Sequence, residues 1–174
     1  MKAEKKPFSN LDKLPSKGIQ NYSNDKTSIK KIKNLLIKAD EEAINEFKII
    51  AFDYYKNTKQ LSIFSFRHYL VLVLYNMETD FKKQYGSIEE PNEDFIKFYK
   101  KRGNKASIGS RDIKVMGNMN FLLPIKYTDL YYRIMHTYYI NEKGDLSSYS
   151  ISQFFYFIVD YIKSTELKTY EVHI

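Results

Sequence analysis

The residues best suited to bind phosphate lie in one stretch, KKRGNKASIGSRDIK, which occupies residues 100–114 and contains six basic residues and one acidic residue. Lys and Arg side chains attract and hydrogen-bond phosphate oxygens. The stretch does not fit the nucleotide-binding loop GxxxxGK[ST], because five residues separate Gly103 from Gly109 and the pair Ser110 and Arg111 follows. Three interpretations stay open, namely a DNA-docking turn, general attraction to phosphate, and a solvated loop.

A helix-turn-helix is the most specific of these interpretations. FIKFYKKRG would form the first helix, NKASIG the turn and SRDIKVMGNMNFL the recognition helix. The turn is about two to three residues longer than this motif requires, and Gly117 and Asn120 are unfavourable inside a helix. The candidate nucleic-acid contacts are Lys97, Lys100, Lys101, Arg102, Lys105, Arg111, Lys114 and Asn118.

A second polar group, Asp129, Arg133 and His136, lies in the aromatic segment YTDLYYRIMHTYY. Arg133 and His136 are three residues apart and share one face of a helix, as a pair acting on a phosphodiester would. The favoured alternative is that these side chains form a polar cluster at the edge of an aromatic core. The sequence leaves enzymatic activity undecided and favours a protein without it.

Metal and cofactor sites are not expected. There is no Cys, and the three His residues are far apart in the sequence. Asp40, Glu41, Glu42 and Glu46 form a carboxylate cluster among lysines, which predicts a solvated helix face rather than a metal site. We therefore predict no metal and no cofactor.

The net charge of +7 is concentrated near the N-terminus. Residues 1–33 contain nine Lys and three acidic residues, which leaves +1 for the rest of the chain. Residues 1–26 lack a sustained apolar period, so we expect a flexible basic arm, with Lys5, Lys6, Lys13 and Lys17 among its charges. Only four basic residues are Arg, which favours diffuse attraction over base recognition. A/T-rich coding would also produce such a Lys-rich composition.

The elements that must position these residues all show helical periodicity. Apolar residues at steps of three and four predict helices over about 28–54, 62–85, 92–102, 110–123, 128–140 and 150–166. The last of these is apolar on nearly every side and is predicted to be the most buried. The C-terminal KTYEVHI alternates and predicts a short strand or an extended cover. The expected fold is all-α, a compact bundle of five to six helices spanning 27–174 after the arm.

These features together predict a small accessory protein without catalytic activity. It would bind nucleic acid or a nucleoprotein complex through the arm and the 97–114 patch, and its size and coding bias suit a phage or mobile element. The alternative is a protein–protein adaptor or inhibitor that uses an aromatic-rich helical surface. The longest apolar run, residues 69–75, is far shorter than the ~20 residues of a membrane span, so we expect a cytoplasmic protein without membrane contact. The oligomeric state is left open.

Overall fold

The computed structural model describes residues 32–101, 116–143 and 151–170. Apart from Ile32, these residues belong to one unit, Lys33–Ile174. Among the described residues, two strands pair in an antiparallel sheet, and there are five α-helices. The elements are β1 (Ile32–Asp40), α1 (Glu41–Asn57), a 3-10 turn (Leu61–Ile63), α2 (Phe66–Tyr85), α3 (Glu93–Lys101), β2 (Met116–Pro124), α4 (Ile125–Tyr138), a π-helical turn (Tyr139–Lys143) and α5 (Ile151–Ser164).

The all-α prediction is wrong, and the first reason is β1. The helix predicted from residue 28 begins only at Glu41, where the Asp40 side chain accepts a hydrogen bond from the Glu42 backbone N–H at 3.2 Å. Before that cap, Leu35, Ile37 and Ala39 are buried and the residues between them are exposed or half-buried. This alternation has the period of a strand. The periodicity of the short apolar run LLI is compatible with a helix or with a strand, and its pairing with β2 makes it a strand.

The second reason is β2, which occupies most of the predicted helix 110–123. Met119, Phe121 and Leu123 are buried, whereas Asn118, Asn120 and Leu122, which alternate with them, are exposed. Residues 110–115 lie outside the described residues. Asn is unfavourable inside a helix, and its alternation with apolar residues suits a sheet with one buried face.

Gly117 allows β2 to cross closely over the start of α1. A Cβ atom at this position would lie 2.8 Å from Ile44 Cδ1 and 3.4 Å from Glu41 Cα. The first of these distances is too short for two carbon atoms, so any larger residue would displace the strand or the Ile44 side chain.

Each strand runs into a helix without a loop. Asp40 is both the last residue of β1 and the N-cap of α1, and Pro124 has the same two roles for β2 and α4. Because the strands are antiparallel, the two helices leave from opposite ends of the sheet.

The predicted ends of the other helices need smaller corrections. α2 begins at Phe66 after the Ser65 cap, and not near Ser62, because residues 61–63 form the 3-10 turn. α3 begins as predicted after Asn92, whose side chain accepts a hydrogen bond from the Phe95 N–H at 2.8 Å. α4 begins at Ile125, three residues before the predicted start at residue 128, and buries Thr128. Gly103, the residue just after the predicted helix 92–102, lies outside the described residues.

The most buried helix is α4, and not α5 as predicted, since nine of the fourteen residues of α4 are buried. Six consecutive residues of α2, 69–74, are buried. In α5 Phe154, Phe155, Ile158 and Val159 are buried, but Tyr156 and Asp160 are exposed. Helix α5 packs against α1 with one face and meets solvent with the other, so its apolar content does not place it at the centre.

Aromatic side chains connect the helices in the core. Phe47 of α1 packs against Tyr69 of α2 at 5.6 Å and Phe155 of α5 at 5.5 Å between ring centroids, and Tyr131 of α4 contacts Phe154 at 5.4 Å. Burying each such ring stabilises the fold by about 1.5–3 kcal/mol. The high aromatic content therefore contributes chiefly to the core.

A buried asparagine holds the chain after α5. Asn76 donates to the Lys168 carbonyl at 3.1 Å and accepts from the Lys168 N–H at 2.8 Å, as a neighbouring strand would. Residues 165–170 form neither a strand nor a helix, so of the two predictions for 168–174, a strand or an extended cover, the strand is not found in residues 168–170. Residues 171–174 lie outside the described residues. None of the helices in the described ranges is long and apolar enough to cross a membrane.

Candidate functional site

Arg133 and His136 lie on the face of α4 that contacts the connection between α2 and α3. Arg133 Nη2 donates to the Ile88 carbonyl at 3.3 Å, and its Nε lies 2.9 Å from Glu90 Oε1. One turn further on, Thr137 Oγ1 accepts from the Glu89 N–H at 2.8 Å. The two sides of this contact are more than 40 residues apart in sequence, and α4 thus positions residues 88–90.

His136 is enclosed in the same contact. Its side chain is 1% exposed, and its Nε2 accepts a hydrogen bond from the Asn92 N–H at 3.3 Å. The ring proton is therefore on Nδ1. Burial lowers the pKa of His136, and the Glu89 backbone and charge partly oppose this effect. The imidazole is neutral at pH 7 and supports the loop before α3.

The structure does not assemble the three polar residues into an acid–base group. Asp129 is exposed, and no hydrogen bond or ion pair joins it to Arg133 or His136. His136 Nε2, the nitrogen that could accept a proton from a substrate, already accepts a hydrogen bond from the Asn92 N–H. The arrangement suits a structural role for Arg133 and His136, with Phe95 packed edge-on against the imidazole at 4.9 Å.

The structure also pairs Tyr55 with His68, which the sequence did not indicate. The Tyr55 hydroxyl is hydrogen-bonded to His68 Nδ1 and joins α1 to α2. Burial raises the pKa of Tyr55 to about 12, assisted by the neighbouring Tyr54, and burial lowers the pKa of His68. Both shifts favour a neutral pair, in which the tyrosine donates and is not activated as a nucleophile.

The predicted carboxylate cluster lies at the junction of β1 and α1. Glu46 pairs with Lys163. Burial, the nearby Asp40 carboxylate and the negative charges of Glu42 and Glu46 together raise the pKa of Tyr156 to about 12, and burial is the largest cause. Among the described residues no group of three His, Asp or Glu is placed to hold a metal ion.

The predicted basic patch is described only in part. Lys97 is exposed on α3 and lies 3.2 Å from Glu93 and 3.9 Å from Asp94. Lys100 and Lys101 belong to α3. Outside the described residues lie Arg102, Lys105, Arg111 and Lys114 of the patch and Lys5, Lys6, Lys13 and Lys17 of the arm.

The helix-turn-helix interpretation is wrong, because its recognition helix is a strand from Met116 onward. Asn118 is exposed on β2, where it would not enter a groove as part of a helix. A DNA-reading turn of this type is therefore excluded, while attraction between the patch and phosphate is unaffected.

Three further basic side chains lie near the sheet. Lys33 lies over the Tyr132 ring at 5.5 Å, and Lys126 lies over the Tyr127 ring at 4.6 Å. Arg67 donates to the Leu122 carbonyl at 3.3 Å. The sequence analysis missed this group because it assigned both strands to helices, and only the pairing of 32–40 with 116–124 places these residues around one sheet.

Comparison with protein-family models, curated proteins and solved structures finds no match to this chain. The function is consequently argued from the charges and contacts of the chain itself.

Proposed function

We propose that this protein is a non-enzymatic accessory protein that binds nucleic acid, alone or within a nucleoprotein complex, through the N-terminal arm and the 97–114 patch. Its place would be the cytoplasm of the cell that carries it, and a phage or mobile element is the proposed genetic context. The binding is electrostatic and does not depend on base sequence.

The observation that supports this proposal is the distribution of charge. The described residues contain sixteen basic and fifteen acidic residues, a net charge of +1. All twelve remaining basic residues fall in 1–31 and 102–115, where four acidic residues accompany them. The folded part is nearly balanced, so the positive charge available to phosphates is concentrated in two segments. Lys residues in such segments gain affinity mainly by releasing counterions from the nucleic acid.

The environments of the two described histidines support the absence of catalysis. His136 Nε2 accepts a hydrogen bond from the Asn92 backbone N–H, and His68 Nδ1 is hydrogen-bonded to the Tyr55 hydroxyl. A general base must be within reach of a substrate proton, and neither imidazole offers an accessible, unengaged acceptor nitrogen of that kind.

The test is a fluorescence-anisotropy titration of the full chain with labelled duplex DNA, single-stranded DNA and RNA at two salt concentrations. One variant replaces Lys100, Lys101, Arg102 and Lys105 by Gln, and a second replaces Lys5, Lys6, Lys13 and Lys17 by Gln. The matched control replaces four lysines exposed elsewhere, Lys38, Lys82, Lys83 and Lys168.

We expect tight binding at low salt that weakens steeply as salt rises. Each phosphate contact removed should lower the slope of log affinity against log salt by about 0.9 on duplex DNA and about 0.7 on a single strand. The patch variant and the arm variant should therefore both bind more weakly and with a smaller slope, while the control keeps the slope of the native chain. Equal losses in all three variants, or no binding at either salt, would contradict the proposal.

The alternative function, an adaptor with an aromatic-rich surface, is not favoured by the described residues. Of the aromatic side chains that are described after residue 120, only Tyr156 is exposed, and the others are buried or half-buried. If the titrations showed no binding to nucleic acid, a protein partner would become the favoured interpretation.

A further inference from the structure

Helix α1 carries apolar side chains on the side that faces away from the core. Ala43, Phe47 and Ala51 are buried on its inner side. On its outer side Ile49 is 61% exposed and Phe52 is 45% exposed, one turn apart. A surface helix usually presents polar residues on its solvent side, so this pair requires a separate explanation.

The apolar surface extends beyond the helix. Phe52 packs edge-on against Phe64 at 5.8 Å, and Phe64 follows the 3-10 turn in which Leu61 and Ile63 are also exposed. Clustered exposed apolar side chains of this kind mark interaction surfaces more often than single ones do.

The charges along the outer side of α1 have a defined order. Glu42, Asn45, Ile49, Phe52 and Lys56 recur at alternating steps of three and four and form one stripe, in which Glu42, Asn45 and Lys56 are exposed. The stripe is acidic near the start of the helix, apolar in the middle and basic at the end. The helix dipole accounts for the two charged ends, because acids favour the N-terminus and bases the C-terminus. It does not account for the apolar centre.

We propose that this stripe is the contact surface for a second copy of the chain, packed antiparallel about a two-fold axis. In a two-fold interface the same patch meets itself, and an antiparallel copy presents the stripe in reverse order. With the axis between Ile49 and Phe52, Ile49 of each copy lies against Phe52 of the other. The acidic end of each helix then meets the basic end of its partner.

The same geometry pairs Asn45 of each copy with Lys56 of the other, since both lie the same number of residues from the axis. This pair is suited to a test because both residues are exposed and lie inside α1, and neither side chain takes part in its caps. The contact is small, so we expect a reversible dimer with a dissociation constant on the order of a micromolar, the weak end of the range for specific interfaces.

The test is sedimentation equilibrium of the full chain without nucleic acid, from low to high micromolar concentration. Asn45→Glu should tighten the dimer, because each new carboxylate faces a lysine. Asn45→Lys should weaken it by about tenfold or more, since like charges facing each other are costly. In the double variant Asn45→Lys with Lys56→Glu, affinity should return to within about threefold of the native value.

These substitutions separate association from stability. Asn45→Lys adds a favourable i, i+4 pair with Glu41 within one helix, so the monomer should be as stable as the native chain while the dimer weakens. Ile49→Lys should abolish the dimer, whereas Leu122→Lys, at a position 59% exposed on β2, should leave it unchanged. A monomer at every concentration would overturn the proposal. Equal effects of Asn45→Glu and Asn45→Lys, or of Ile49→Lys and Leu122→Lys, would also overturn it.

Discussion

At the scale of single residues, the hydroxyl of Thr137 has two functions in the contact between α4 and residues 88–92. It donates to the Arg133 carbonyl at 2.8 Å and accepts from the Glu89 N–H at the same distance. Thr137 is fully buried, so a methyl group in place of its hydroxyl would cover this N–H without accepting a hydrogen bond from it.

Thr137→Val should therefore lower the free energy of unfolding by about 1–3 kcal/mol, because it keeps the shape of the side chain and leaves the Glu89 N–H unsatisfied. Urea unfolding measures this loss. Thr79→Val is the matched control, since Thr79 also donates to the carbonyl four residues earlier but accepts from no backbone N–H. An equal loss in both variants would show that the hydrogen bond to Glu89 is not the cause.

The buried neutral imidazole of His136 predicts a pH dependence. Its folded pKa lies below the ordinary value of 6.5, so the unfolded chain binds the proton first as pH falls. The contribution of His136 to stability is complete above about pH 6.5 and is lost as pH falls through the folded pKa. His68 is shifted in the same direction, also by burial, and adds to the effect.

Urea unfolding between pH 8 and pH 5 should consequently show stability falling with acidification. His136→Gln, whose side-chain oxygen can still accept from Asn92, should reduce that slope, and adding His68→Gln should reduce it further. The slope that one proton can contribute is at most about 1.4 kcal/mol per pH unit. An unchanged slope in the double variant would assign the pH dependence to other groups.

At the scale of elements, the contact between β2 and α1 depends on the absence of a side chain at position 117. Gly117→Ala would bring its Cβ within 2.8 Å of Ile44 Cδ1 and should lower stability by about 1–3 kcal/mol. Ile44→Val removes that methyl group and should itself cost about 0.5–1.5 kcal/mol.

The double variant should lose less than the sum of these two effects, because the methyl group that the new Cβ would strike is gone. A double-mutant cycle by urea unfolding should give a coupling of about 0.5 kcal/mol or more in the stabilising direction. Strict additivity would mean that the strand shifts as a whole and does not press on Ile44.

Local sequence signals predicted the helices and not the sheet. The start of α3 could be read from Asn92 followed by two acidic residues, and the long apolar period of α2 distinguished it from a strand. β1 and β2 are separated by about 75 residues, and neither has a turn signal that points to the other. Their pairing is a non-local effect, which periodicity in one short window does not reveal.

The candidate site shows the same division. The spacing of Arg133 and His136 correctly placed both on one helical face. What that face contacts depends on residues 88–92, more than 40 positions earlier, and on the burial of His136. No local pattern contains that information, which is why an acid–base pair and a polar structural contact were indistinguishable in the sequence.

At the scale of the whole molecule, the near balance of charge in the described residues predicts that salt has little effect on folding. The ion pairs of α2 and α3 are exposed and join residues three or four apart, such as Lys82 with Glu78 and Lys97 with Glu93. Exposed pairs of this kind contribute about 0–1 kcal/mol each.

The free energy of unfolding should thus change by less than about 1 kcal/mol between low and high sodium chloride. Urea unfolding of the full chain measures this, and the anisotropy titrations provide the contrasting strong salt dependence of binding. A large loss of stability with salt would show that long-range attraction between charges stabilises the fold. In that case salt effects on binding would have to be corrected for unfolding.

The direct junctions at Asp40 and Pro124 also determine how mechanical force passes through the protein. No loop residue separates β1 from α1 or β2 from α4, so a loop cannot absorb a displacement of either strand. Tension applied at the first residue of β1 reaches α1 directly, and through the paired strand it reaches α4 at the opposite end of the sheet. We therefore expect a pull on β1 to displace the starts of both helices together.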